Sequence, residues 1–303
     1  MKDRFELKND YLYLVEKYRK YIMIDNFEGL KYCSNNDIPL KSLYLMPMEN
    51  NLTTPLFFDR QYIASNFKGY ISANSTFAHM MKPLTEAHYL QYAFLNDEYY
   101  KLSEEEFVDY DDKIKGIACL NKIYYTKGEG DIIYLRQDIM NNLPLKIKHV
   151  YCNDKSWKLN FSVKFMNIGT DPYSNESLKI RNKYMFNLAM ETVYNPLWSK
   201  DWVTERIFNC FKSKTIPLYL GAYNIEEIVP KDLFIDLRDY ITQYSPVVVL
   251  DYNKLAEYLN NLMNDTQRYI DRVEAAYNWQ LSNKFGNFKT FEKKLNKIVG
   301  YKE

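Results

Sequence analysis

RNKYMFNLAMETVYNPLWSKDWVTERIFNCFKSKTIPLYLGAYN, residues 181–224, reads as strand, loop, helix, strand and loop in one compact unit. The apolar run Tyr184 to Met190 ends in a carboxylate, Glu191. After a polar loop, Asp201 or Thr204 is placed to cap a helix whose first turn holds Glu205 and Arg206. The free backbone donors of that helix start would face whatever lies beyond the strand ends, which is how α/β proteins hold a diphosphate.

Outward from this stretch, apolar strand-like runs alternate with helical ones, the pattern of a mostly parallel sheet covered by helices. Strands are expected at Ile114 to Leu120, Ile147 to Cys152, Tyr184 to Met190, Ile216 to Leu220 and Leu233 to Leu237, with a helix at Asp131 to Asn142. Asn253 to Met263 is amphipathic at helical spacing. Together these make a Rossmann-like domain over residues 111–283. Residues 1–110 are less regular, with a helix expected at Tyr11 to Tyr21 and short strands near Tyr21 to Ile24, Ser42 to Met46, Phe67 to Ser72 and His88 to Phe94. They read as a second, smaller α/β domain. The acid-rich segment Leu102 to Asp112 has few core residues and is expected to link the two. The Lys-rich tail, residues 284–303, reads as a helix that docks back on the N-terminal half.

A chain of 303 residues is long enough for two domains of about 150. Lys and Arg number 40 against 39 Asp and Glu, a net charge of +1, so nothing marks the surface as a whole for nucleic acid or an anionic membrane. Cys33, Cys119, Cys152 and Cys210 lack C-x-x-C spacing, which fits a reducing, cytoplasmic setting. No apolar stretch approaches the ~20 residues that cross a bilayer, and the charged start MKDRFELKNDYLYLVEKYRK lacks a signal-peptide core. Contact with a membrane surface is left open.

The segment KDWVTERIFNCFKSKTIPLYLGAYN, with the strand before it, resembles the signature of glycosyltransferase family 10, the α-1,3/4-fucosyltransferases. That pattern runs F-x-L-x-x-E-N-S, then D-Y-[IV]-T-E-K-[IL]-x-x-A-[FL], then [VI]-P-[IV]-x-x-G. The matching positions are Phe186, Leu188, Glu191, Asp201, Val203, Thr204, Glu205, Ile207, Phe211, Ile216, Pro217 and Gly221. The resemblance covers roughly Ile114 to Trp279 and implies a GT-B-like fold: two Rossmann-like domains facing a cleft. It also implies a GDP-sugar on the C-terminal domain and a glycan acceptor reaching in from the N-terminal one.

Inverting transfer from GDP-fucose needs a base for the acceptor hydroxyl and cations or dipoles for the departing diphosphate. By resemblance, Arg206 stands where the family has a diphosphate-contacting lysine, and a guanidinium fork keeps that charge. Glu205 matches a glutamate that binds donor hydroxyls, and Glu191 matches the strand-end glutamate. Trp202 replaces a donor-contacting tyrosine and Thr192 a donor-contacting asparagine, which keeps another GDP-sugar open as the donor. Arg136 resembles an arginine that reaches the nucleotide phosphates. Glu49, in LYLMPMENN, sits where the family has its proposed general base, with Glu86 and Asp97 as substitutes; Asn50 and Asn51 replace the family's Ser-Pro. Those departures also keep open a nucleotide- or glycan-binding module without turnover.

Other motifs carry less. The D-x-D of Asp109 to Asp111 lies in the acid-rich segment rather than after a buried strand, and Gly128-Glu129-Gly130 lacks the third glycine of a dinucleotide fingerprint. His79, His88 and His149 share no ligand spacing. Neither a metal nor another cofactor is expected, since arginines and a helix start can neutralise the diphosphate. Trp279 matches a tryptophan near the family domain's end and reads as core packing.

Overall fold

The computed structural model describes residues 27–47, 54–91, 100–123, 128–153, 156–169, 171–245, 247–282 and 288–300. The chain divides into two compact units, neither continuous in sequence. One comprises Met1–Leu95, Asn195–Trp202 and Gly286–Glu303, the other Asn96–Tyr194 and Val203–Phe285. The helix expected at Tyr11 to Tyr21 and the strand near Tyr21 to Ile24 lie outside the described residues.

The first unit is built on a parallel sheet of β1 (Tyr44–Leu45), β2 (Gly69–Ser72) and β3 (Glu86–Tyr89), in that order. Side chains alternate across it with a period of two. Leu43, Leu45 and Tyr70 enter one buried cluster, with Phe57, Ile63 and Phe77. Tyr44, Met46 and Ile71 enter another on Phe291, Leu295 and Val299 of the C-terminal helix Phe288–Val299. That tail helix therefore belongs to the first unit's core. Two further helices, Arg60–Asn66 and Ser75–Met81, were not expected from periodicity because each is only seven residues long. Their starts are nonetheless written in the sequence: Asp59 accepts from the Tyr62 N–H at 2.9 Å and Asn74 from that of Phe77 at 2.8 Å.

The second unit carries a six-stranded parallel sheet in the order β6-β5-β4-β7-β8-β9. The strands are β4 (Ile114–Cys119), β5 (Lys148–Tyr151), β6 (Lys164–Met166), β7 (Tyr184–Met190), β8 (Ile216–Leu220) and β9 (Ile235–Asp236). Every residue of β7 and β8 is buried, as expected of central parallel strands covered on both faces. Helices Tyr252–Asn264 and Thr266–Ser282 bring Leu255, Leu259, Tyr269 and Val273 to that core. Trp279 stacks on Phe208 at 6.4 Å, a packing role.

Several local readings change. The acid-rich segment expected to link the domains folds within the second unit as two short turns, Glu104–Glu106 and Tyr110–Asp112. β6 and the helix Asn175–Asn182 were not expected: β6 is an edge strand, largely exposed, and so carries no apolar run. The strand expected at Leu233 to Leu237 keeps only Ile235 and Asp236, because tight helical turns flank it.

Lys113 opens β4 from inside, 4% exposed, with its ammonium donating to the Asn182 carbonyl. Burial, and then Lys214 nearby, lowers its pKa from 10.5 to about 7. Between those values the unfolded chain holds the proton and the folded chain does not, so stability rises with pH across the window. Lys113→Met is expected to melt roughly 2–4 °C higher at pH 7 and to lack the rise expected of the parent between pH 7 and 9. Thermal melts across that range check it; identical slopes in both proteins would refute it.

Candidate active site

β7 ends at Met190, and the next residue, Glu191, has 0% exposure. A carboxylate so buried needs donors, and the loop 191–204 brings them back. The Thr204 N–H donates to Glu191 Oε1 at 2.9 Å, the Thr204 hydroxyl lies 2.9 and 2.8 Å from its two oxygens, and Arg206 Nη1 reaches Oε2 at 2.6 Å. Burial pushes the Glu191 carboxyl above the usual carboxylate range, against the opposite pull of Arg206 and Thr204.

Thr204 is the residue before the helix Glu205–Lys212, but its hydroxyl makes no capping bond to that helix. It serves Glu191 instead, and also accepts from Arg206 Nη1 at 2.7 Å. Asn121 stands two residues past the end of β4. With its amide oriented to satisfy both ends, it donates to the Leu188 carbonyl at 3.0 Å and accepts from Arg206 Nε at 3.1 Å. Arg206 is thus gripped on two edges while its side chain keeps 20% exposure. The result is a fixed positive group beyond the carboxyl ends of β4 and β7, the edge where open α/β sheets bind ligands.

Gly221, just past β8, is required by this packing. A Cβ there would meet Glu191 Cγ at 2.2 Å and the Tyr219 hydroxyl at 2.7 Å. Glu205 is 9% exposed, with the Tyr173 hydroxyl 3.5 Å from its carboxylate. The helix start is therefore mostly covered, and Arg206 carries the access rather than bare backbone donors.

The other expected site residues fall elsewhere. Arg136 is 1% exposed, not a surface residue of its helix Ile133–Asn142. Its Nη1 donates to the Lys122 carbonyl at 2.8 Å and its Nη2 to those of Met190 and Glu191 at 2.9 Å each. It ties the ends of β4 and β7 together from within, where the expectation had been a contact to phosphate. Thr192 is 4% exposed, and its carbonyl accepts from the Ile132 N–H at 3.1 Å. Trp202 packs in the first unit's core beside Tyr44 and Ile71, so its indole is a core anchor there.

Asp201 is not the cap of the following helix. It adopts a left-handed φ of 61°, and its carboxylate takes both the N–H and the hydroxyl of Ser75, at the start of Ser75–Met81. Glu49 and Asp97 lie outside the described residues. Glu86 begins β3, at the amino end of its sheet, with His88 Nε2 at 2.9 Å. Asn121 was missed, although a polar residue just past an apolar strand is a signal of the same kind as Glu191. Among the described residues no three His, Cys, Asp or Glu gather as a metal site.

Residues 136–298 match the family model described as glycosyltransferase family 10 (fucosyltransferase) C-term. Over 83 residues the chain is 31% identical to human 4-galactosyl-N-acetylglucosaminide 3-alpha-L-fucosyltransferase 9, and the bovine protein gives the same identity. That alignment takes in 27% of this chain and spans 20% of the length of those relatives. Among solved structures, an alpha1,3-fucosyltransferase with GDP superposes with a TM-score of 0.56 at 13% identity, covering 99% of this chain and 88% of that one. HepE of Anabaena, in complex with UDP and glucose, gives 0.57 at 11% identity over 97% and 82%. These likenesses show an α/β fold of the GT-B class. With more than half of its length matched, strand-end glutamate and helix-start arginine included, the chain belongs to glycosyltransferase family 10.

Proposed function

We propose that this protein transfers fucose from GDP-fucose to a hydroxyl of a glycan acceptor, with inversion and without a metal ion. The observation that carries this is Arg206, held by a buried carboxylate at 2.6 Å yet partly exposed beyond the strand ends. Such a preorganised cation stabilises charge as it develops on a leaving diphosphate without having to reorganise. In the step itself, the acceptor oxygen bonds to the anomeric carbon as the bond from that carbon to the β-phosphate oxygen breaks. The electron pair leaves with GDP, and the hydroxyl proton passes to a carboxylate.

We assign that base to Glu49 by resemblance; Glu86, at the amino end of its strand, is a poorer substitute. Glu205 is assigned to donor hydroxyls. Arg136, through three carbonyls, is a positioning residue for Glu191. The four cysteines are buried and none forms a disulfide, with the thiols of Cys119 and Cys210 pushed up to about 11 and about 12 by burial. The lack of disulfides supports a reducing, cytoplasmic setting; among the described residues no helix is long and apolar enough to cross a membrane.

Another GDP-sugar as donor is the second reading, favoured by Thr192 and by Trp202, whose indole is engaged in the first unit. Calorimetric titration with GDP, UDP, GDP-fucose and GDP-mannose, paired with a transfer assay on N-acetyllactosamine, separates these readings. GDP is expected to bind at least about tenfold tighter than UDP, a difference of about 1.4 kcal/mol, and GDP-fucose alone to be turned over. Turnover of GDP-mannose instead supports the second reading. GDP binding without turnover of any donor supports a binding module, and no preference for GDP removes the proposal.

A further inference from the structure

Three tyrosines from separate loops of the second unit meet beside the site. Tyr194 ends the loop that starts at Glu191, and its backbone N–H is pinned to the Gly130 carbonyl at 2.8 Å. Tyr223 lies two residues past Gly221, the residue packed against Glu191. Tyr244 follows the strand Ile241–Gln243, which pairs antiparallel with Val249–Leu250. The Tyr194 ring lies 5.9 Å from that of Tyr223 at an interplanar angle of 31°, and 6.4 Å from that of Tyr244 at 25°. Tyr194 is half-buried against the sheet core, whereas Tyr223 and Tyr244 are 45% and 60% exposed.

With Tyr194 only 5.9 and 6.4 Å from its two neighbours at small interplanar angles, the rings close on one another, while Tyr223 and Tyr244 each keep an exposed surface. A planar base has no gap to enter among them. The surrounding charge disfavours a phosphorylated ligand as well. Arg238 holds the Tyr223 carbonyl at 3.0 Å, but its Nε is shared by both Asp236 oxygens at 2.9 Å and its Nη2 reaches Glu226 at 2.7 Å. Asn224, next to Tyr223, donates to a further carboxylate, Glu227, at 2.8 Å. Lys231 pairs with Glu226 at 3.5 Å and with Asp239 at 3.3 Å, so both cations of this cluster are already matched by carboxylates and offer little to an anionic ligand. A neutral pyranose suits these exposed rings: its hydrogen-bearing side is apolar and weakly positive, complementary to the negative face of an aromatic ring.

We propose that Tyr194, Tyr223 and Tyr244 form a stacking subsite for a pyranose ring of the neutral acceptor glycan. Continuity with Glu191, through the Tyr194 loop and through Gly221, puts such a ring next to the group that would hold the donor. The proposal rests on the transferase reading for the word acceptor, but the sugar contact itself is testable without turnover.

The experiment is saturation-transfer NMR on the whole protein, using N-acetyllactosamine, lactose and chitobiose as probes. It is carried out on the parent, Tyr223→Ala, Tyr244→Ala and the conservative Tyr244→Trp. Transfer to ring protons of at least one sugar is expected in the parent, to fall about five- to tenfold in each alanine variant, and to return in Tyr244→Trp. In parallel, the acceptor KM is expected to rise by a similar factor, with GDP affinity within twofold of the parent by calorimetry. Absence of sugar binding in the folded parent overturns the proposal, as does equal transfer in parent and alanine variants. A parallel loss of GDP affinity overturns it too and reassigns the rings to the nucleotide. If the parent neither transfers fucose nor binds GDP but still shows tyrosine-dependent sugar contact, the transferase reading fails while the subsite stands.

Discussion

Arg206→Ala is expected to lower kcat/KM for transfer from GDP-fucose by about 100- to 1000-fold, the range for removing one preorganised electrostatic group from an active site. Three groups fix this guanidinium, and each is itself fixed: Glu191 by burial, Thr204 by the backbone bond to Glu191, and Asn121 by the Leu188 carbonyl. Arg206→Lys restores the charge and the family's own residue. An ammonium is a point charge, however, and cannot span the Glu191 and Asn121 edges together. Partial recovery, to within about tenfold of the parent, is therefore expected.

Removing Arg206 also leaves Glu191 buried without its counter-charge, so the alanine variant is expected to lose stability. GDP affinity separates the two effects. A variant that remains folded by circular dichroism, binds GDP as the parent does and turns over at the parent's rate would show that Arg206 only stabilises Glu191.

Arg136→Met is expected to cost about 2–4 kcal/mol of stability, since it strands two buried carbonyls and a part-buried one whose charge-assisted bonds are worth more than neutral ones. Methionine approximates the volume, so the loss is assigned to the polar atoms rather than to a cavity. In urea the unfolding midpoint should fall with the slope unchanged. GDP affinity should fall as well, through displacement of Glu191. A variant with the parent's urea midpoint and abolished GDP binding would return this guanidinium to the phosphates, as the family resemblance implied.

What could be read from residues alone follows from physical contrast along the chain. β7 and β8 were legible because strands buried on both faces must be apolar throughout, and their ends at Met190 and Leu220 are marked by Glu191 and Gly221. β6 was not, because an exposed edge has no such requirement. Glu191 and Arg206 were found together because a strand-end carboxylate and a helix-start cation are unusual enough to carry meaning. The burial of Arg136 was not legible because a helix of ten residues with one arginine looks the same whether that arginine meets water or a nest of carbonyls. Asp201 was misjudged for a related reason. It caps a helix, but one that begins at residue 75, and such distant partnerships leave no trace in local spacing.

The stretch Asp201 to Arg206 is shared across the division of the chain: Asp201 and Trp202 are counted with the first unit, Val203 onward with the second. A hexapeptide that fastens one body and arms the other cannot drift in either duty alone. Grafting this motif into a relative, or shuffling the units between relatives, would carry half of each lock away from its key. Recombination breakpoints are better sought at a distance from it.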